Sequence, residues 1–269
     1  MPVAAPVFVS RSTTPAAPRY GLLSVADMPV GEDPHWVNGI EYDLPPVPSA
    51  TADSADCLAG PADERELPQG KPWGTALPFR AWAGFQCSPV GLNEQDVADY
   101  ALQKLAAAEG PFVESQVWSQ TEPAFMSNHT EVVQAAAVPL EVGVGLLEEW
   151  LYTAYAGVGA IHIPRRLAAH ADRKAILHAS GTKMSTLLQT PVSLGDYPNT
   201  GPTGATPAAG SFWIVATGDV AIRRTPATVL TGRDAAWINP RTNTVQGIAE
   251  RQYVVSFDEV AGAVLVNLN

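Results

Sequence analysis

The sequence predicts an α+β fold, a dense body of helices and strands preceded by a long, thin N-terminal extension. Three observations point there. From Phe212 onward the chain is dominated by β-favouring runs that leave little room for a solvated face. Residues 93–109 and 139–155 repeat their apolar side chains at helical spacing. The first ninety residues or so are rich in proline and show little periodic hydrophobicity.

The elements follow in order. Pro2, Pro6, Pro15, Pro18 and Pro29 favour extended chain, because each fixes φ and removes a donor. Such a segment is a linker, a tail, or an arm laid on another surface. Tyr20, Leu22, Leu23 and Val25 need covering, which favours the arm. Trp36–Tyr42 reads as a hairpin turning at Asn38-Gly39, since both residue types tolerate the left-handed positions of a tight turn. Residues 44–78 carry seven prolines and read as a long irregular loop, and Phe79–Cys87 as a strand entering the body.

Asn93 suits a helix N-cap, with Glu94 and Asp96 in the first turn. Val97, Ala101, Leu105 and Ala108 share one face, and Gly110-Pro111 should kink or break the helix before a continuation over Phe112–Trp118. A polar loop follows at 119–130. Pro139 starts a second helix whose stripe is Leu140, Val144, Leu147 and Leu151, ended by Gly157 and Gly159. Ala160–Ile163 is a short buried strand, Pro164–Ala171 a small helix, and strands recur near 175–179 and 187–194. Residues 196–210 form a Pro/Gly-rich loop. Phe212–Ile222 reads as strand, turn, strand, and Asn243–Leu268 as a turn and two long strands built into the fold.

Composition narrows the function. At 269 residues the chain can bury a large core, and 46% hydrophobic content argues against wholesale disorder. A net charge of -11 argues against nucleic-acid binding through a basic face. The charge is uneven. Residues 1–150 hold six basic and twenty acidic side chains, and residues 151–269 ten basic and seven acidic, so opposite halves of two copies could attract. Cys57 and Cys87 match no zinc or redox spacing, and two reduced thiols are expected rather than a disulfide. Met1–Ser10 lacks the pattern of a signal peptide, and no run approaches the roughly twenty apolar residues of a membrane span, so a cytosol-like compartment is expected.

Catalytic signatures are missing from the sequence. There is no phosphate-cradling Gly-x-x-x-x-Gly-Lys, no Gly-x-Ser-x-Gly and no His-Glu-x-x-His, so no cofactor or metal is expected. His162, His170 and His178 are spaced eight apart, but no acidic pair accompanies them and they read as structural or surface histidines. Trp36 and Trp73 lie in the loop-rich extension, where a lone monomer could hardly bury them; large aromatics in such places are often interface anchors.

The order of these parts resembles the major capsid protein of tailed bacteriophages, a fold also used by encapsulin shells. The resemblance implies an N-terminal arm at 1–28, an extended loop at 29–78, a spine helix and peripheral domain at 79–138, an axial domain at 139–231, and strands at 232–269 returning to the peripheral domain. It also implies a non-enzymatic subunit that forms hexamers and pentamers of an icosahedral head around double-stranded DNA. The expected setting is the virion, assembled in the bacterial cytoplasm, with decoration, portal or scaffolding proteins as further partners and no membrane. Inter-subunit contacts would come from Tyr20, Leu22, Trp36, Asn38, Gly39, Tyr42 and Trp73, whose apolar surface is expected to need neighbouring copies. The alternatives are a decoration or head–tail connector subunit, an encapsulin-type shell, and a cytosolic α/β enzyme using His162 or Asp219.

Overall fold

The computed structural model of the chain describes residues 18–30, 34–46, 48–50, 70–88, 94–231, 238–239 and 241–268. The described residues divide into two compact units, one drawn from 18, 82–109 and 227–250, the other from 19–81, 110–226 and 251–268. Three long elements contribute to both: strand β3 (Pro78–Cys87), helix α1 (Glu94–Ser119) and strand β13 (Thr244–Phe257).

In the first unit, the leading part of α1 buries Val97, Ala98, Ala101 and Leu105, the stripe the sequence predicts. Gly247 lies against Val97, where a Cβ would meet the valine side chain at 2.8 Å. Strands β11 (Thr228–Thr231) and β12 (Ile238–Asn239) pair antiparallel with the first half of β13. Phe85 packs on Tyr100 at 4.3 Å between ring centroids, and Lys104 Nζ donates to the Gly84 carbonyl at 2.6 Å. Cys87 is a free, half-buried thiol; Cys57 and the N-cap residue Asn93 lie outside the described residues.

The second unit is built on a five-stranded mixed sheet in the order β4 (Glu131–Pro139), β14 (Ala261–Asn267), β9 (Ser211–Thr217), β5 (Ala160–Pro164), β8 (Val192–Gly195). Every residue of β5 and β8 is buried. Helix α2 (Leu140–Trp150) lays Leu140, Val144 and Leu147 into the core beside Ile161, Ile163, Ile214, Val264 and Val266. Gly143 is required where the helix meets β14, because a Cβ there would collide with Val266. Helix α3 (Ala168–Arg173) and the hairpin β6 (His178–Ser180)–β7 (Lys183–Ser185) complete the stretch between β5 and β8. Strand β10 (Val220–Arg224) pairs antiparallel with the second half of β13.

Several expectations change. Trp36–Tyr42 is not a two-residue hairpin: Pro34–Asn38 is a 3-10 turn, Gly39 takes φ +108°, and β1 (Ile40–Asp43) pairs with β2 (Trp73–Ala76), far along the chain. Asn38-Gly39 ends the 3-10 turn and leads into β1 without closing a ladder, and the ladder closes through the long loop. Pro111 does not break α1; burial of Val113, Val117 and Trp118 beyond it offsets the roughly 3 kcal/mol a helix-interior proline costs. The second helix runs through a wide turn over Leu151–Tyr155 and is capped by Ala156 at φ +54° instead of by Gly157. β4 has no counterpart in the sequence reading. Its burial does not alternate, and its parallel pairing with β14 is irregular in register, so no period-two signal marks it.

Candidate assembly surfaces

The N-terminal segment from Arg19 to Met28 is stitched to its own chain. The Leu194 N–H donates to the Tyr20 carbonyl at 2.6 Å, and the Ile222 N–H to that of Asp27 at 2.8 Å, while the Asp27 N–H donates to Val220 at 2.8 Å. The central fastener is Glu114 on α1. One carboxylate oxygen accepts the Leu22 N–H at 2.9 Å and the other the Asp196 N–H at 2.7 Å. Burial pushes the Glu114 carboxyl above its usual range, with the two N–H donors pulling the other way. Leu22 is fully buried in its own chain, which corrects its placing among the inter-subunit contacts. Tyr20 is half-buried, its hydroxyl 3.3 Å from the Gly181 carbonyl.

The β1–β2 ribbon has two distinct faces, set by strand alternation. On the inner face, Tyr42 donates its hydroxyl to the Phe257 carbonyl at 2.9 Å, and burial first, then the Glu259 carboxylate, hold that phenol well above its usual range. Gly74 opposite Tyr42 is tight because a Cβ would meet Glu259 and the tyrosine ring. Tyr42 therefore spends its polar atom within the chain. The outer face carries Glu41, Asp43, Trp73 and Thr75, with Lys71 paired to Asp43. Trp73 is 62% exposed, an isolated aromatic on an acidic face. Trp36 and Gly39 are half-buried and Asn38 is exposed. Further exposed apolar side chains are Trp82 in the first unit and Tyr152, Val158, Leu187 and Leu188 in the second.

The Leu187-Leu188 tip is held rigidly. Thr190 and Thr186 both donate their hydroxyls to the Glu148 carboxylate, the former at 2.7 Å, and the Thr186 N–H donates to the Thr190 carbonyl at 3.0 Å. A cleft of about 840 Å³ lies beside the ribbon, lined among others by Trp73, Thr75, Glu122, His129, Thr200 and Glu259.

His162 is a core residue. It is fully buried and stacks on Phe125 at 4.2 Å. Nδ1 lies 2.7 Å from Ser193 Oγ and Nε2 2.9 Å from Thr217 Oγ1. Because Thr217 donates its hydroxyl to the Gly218 carbonyl, it must accept from Nε2–H, so Nδ1 accepts from Ser193 and Ser193 accepts from Tyr197. The relay runs in one direction, and every member is satisfied with a neutral imidazole. Burial drives the His162 pKa down to about 3. Asp219 sits apart on the turn after β9, where its carboxylate accepts the Val220 N–H at 3.1 Å, and burial raises its pKa. Among the described residues no cluster of His, Cys, Asp or Glu could hold a metal, and no helix is long and apolar enough to cross a membrane.

No protein-family model and no curated protein matches the sequence. Solved structures do match the fold over nearly its whole length. The capsid of a native GTA particle is 14% identical and superposes with a TM-score of 0.58, covering 98% of this chain and 95% of that one. A structure from Microbacterium phage Oxtober96 is 10% identical, with a TM-score of 0.57 and coverage of 98% and 96%. The encapsulin complex of Synechococcus elongatus is 11% identical, with a TM-score of 0.54 and coverage of 97% and 92%.

This is the fold of tailed-phage capsid proteins and encapsulins. The α+β architecture predicted from sequence is that of the capsid fold. Two features escaped the sequence reading. Glu114 was detectable, since a lone carboxylate between Val113, Val117 and Trp118 on one helical face has to find partners. The His162 relay was not, because Ser193, Tyr197 and Thr217 converge only through the sheet.

Proposed function

We propose that this chain is a major capsid subunit that self-assembles into the hexamers and pentamers of an icosahedral phage head enclosing double-stranded DNA. The observation that carries the proposal is the match with capsid structures over 98% of this chain. The role is structural. In this reading residues 1–28 act as the arm, 29–78 as the extended loop, 79–138 as spine helix and peripheral domain, 139–231 as axial domain and 232–269 as the returning strands. Contacts between copies come from what each chain leaves exposed, foremost Trp73, with Trp36 and Asn38 beside it on the loop. Tyr20 and Tyr42 contribute at most their partly exposed edges. The net charge of -11 suits a wall along which packaged DNA slides without sequence-specific binding. The site of action is the virion, after assembly in the bacterial cytoplasm, with portal, decoration or scaffolding proteins as further partners.

The encapsulin match supports a second reading, a shell around a protein cargo. Sedimentation of the purified chain tests both. Particles of many subunits support a shell, and nucleic acid absorbance in particles from the native source separates a phage head from a cargo compartment. A chain that sediments as a monomer or dimer at all concentrations overturns both.

A further inference from the structure

Residues 19–28 form a strap over the second unit, fastened near both ends beside carboxylates that make no salt bridge among the described residues. The first fastening is Glu114. It is 5% exposed with the strap in place, and Gly21 and Gly195 flank its carboxylate so closely that a Cβ on either would press on it. Its charged and titratable neighbours are Arg165, Asp196 and Tyr197. The Arg165 guanidinium donates to the Leu194 carbonyl at 3.0 Å, not to the carboxylate. The second fastening is Asp27, whose backbone bonds to Val220 and Ile222 on either side of Ala221. The Asp27 carboxylate accepts the Met28 N–H at 2.9 Å and faces Asp219. Asp219 also faces Asp258, which accepts the Tyr155 hydroxyl at 2.6 Å, and the Asp219 N–H donates to the Tyr155 oxygen at 3.3 Å. Closing the strap thus takes one carboxylate out of water and sets a negative charge against two others.

From this geometry we infer that the strap is a pH-sensitive latch, which closes as Glu114 and Asp219 take up protons and loosens as they ionise. With the strap open, water reaches Glu114 and Asp27 moves away from Asp219, so both carboxyls return toward ordinary behaviour. With it closed, burial holds both above the usual carboxylate range, outweighing the N–H donors and the Arg165 charge that pull Glu114 down. The closed form binds more protons than the open one. Its advantage is complete below the ordinary carboxylate range, at about pH 4, and is lost as pH rises through the raised values. The buried His162 runs the other way, so acid weakens the core while it tightens the strap. Opening uncovers the seat of Leu22 and the outer edge of β10, whose other edge pairs with β13. The latch works within one chain and stands apart from the shell reading.

The test is hydrogen exchange in the full-length chain at pH 5 and pH 8, read as protection relative to the intrinsic rate of each amide. The amides to follow are Leu22, bonded to Glu114, and Asp27 and Ile222, bonded across the second fastening. In the wild type their protection falls about threefold or more from pH 5 to pH 8, while that of the central strand β14 does not fall. Glu114→Gln keeps the size of the side chain and one acceptor but cannot ionise, and Asp219→Asn does the same at the second fastening. Each reduces the fall, and the two together abolish it. Protection in the wild type that is equal at the two pH values or greater at pH 8, or an unchanged fall in the double variant, overturns the latch. If Glu114→Gln does not fold, Asp219→Asn decides alone: a fall at Asp27 and Ile222 as large as in the wild type overturns it.

Discussion

Acidification should unlock the second unit through His162, by an amount the structure sets. The folded pKa of this imidazole is depressed to about 3 by burial, and an unfolded histidine titrates near 6.5. A group depressed in the folded state contributes its full stability above the unfolded pKa and loses it as pH falls toward the folded one. The loss begins below about pH 6.5, grows by about 1.4 kcal/mol per pH unit, and reaches about 2 kcal/mol at pH 5 relative to pH 7. Glu114 acts in the opposite direction, since its raised carboxyl takes up a proton more readily when folded. Only a comparison isolates the histidine. The assay is denaturant unfolding of the wild type and His162→Gln at pH 7 and pH 5. Glutamine cannot titrate but can still donate toward Thr217, so the variant is less stable at pH 7, and the gap narrows by about 2 kcal/mol at pH 5. If the gap does not change with pH, the neutral relay from Tyr197 to Gly218 is wrong. The imidazole resonances give the same answer directly: His162 stays neutral at pH 5 in folded protein.

Other consequences rest on the arm and the ribbon. Glu114→Ala strands the buried Leu22 N–H, at about 1–3 kcal/mol, and frees the half-buried Asp196 N–H at less, so it should cost about 2–4 kcal/mol in denaturant unfolding while exposing the chain at Arg19 to trypsin. Gly21→Ala has an ordinary backbone conformation, but its new Cβ would press on the Glu114 carboxylate; a loss of about 1–3 kcal/mol is expected, and no loss would deny the clamp. Trp73→Ala should leave monomer stability within about 0.5 kcal/mol, because the side chain is mostly exposed, yet raise the protein concentration needed for assembly at least tenfold, as read by light scattering.

Legibility in the sequence followed the range of the interactions. Helical stripes such as Leu140, Val144 and Leu147 are written locally and fall where the period places them. So do the long C-terminal strands, whose apolar runs answer to burial on both faces. What failed was non-local. The Asn38-Gly39 signal marks a position where Gly39 does take a positive φ, but the partner of β1 lies thirty or more residues away and no local pattern names it. β4 pairs in parallel with the last strand of the fold and carries no alternation of its own. The same limit applies to the candidate contacts. Residue type marked Leu22 and Trp73 alike as needing cover, and only the folded chain separates the one it buries from the one it leaves exposed.

The central claim is that copies of this chain close into a shell. Negative-stain microscopy of the purified full-length chain tests it most directly. The account predicts closed, uniform, hollow particles with a polygonal outline, far larger than a single subunit. Discrete small rings, or solitary globules at every concentration tried, would contradict it.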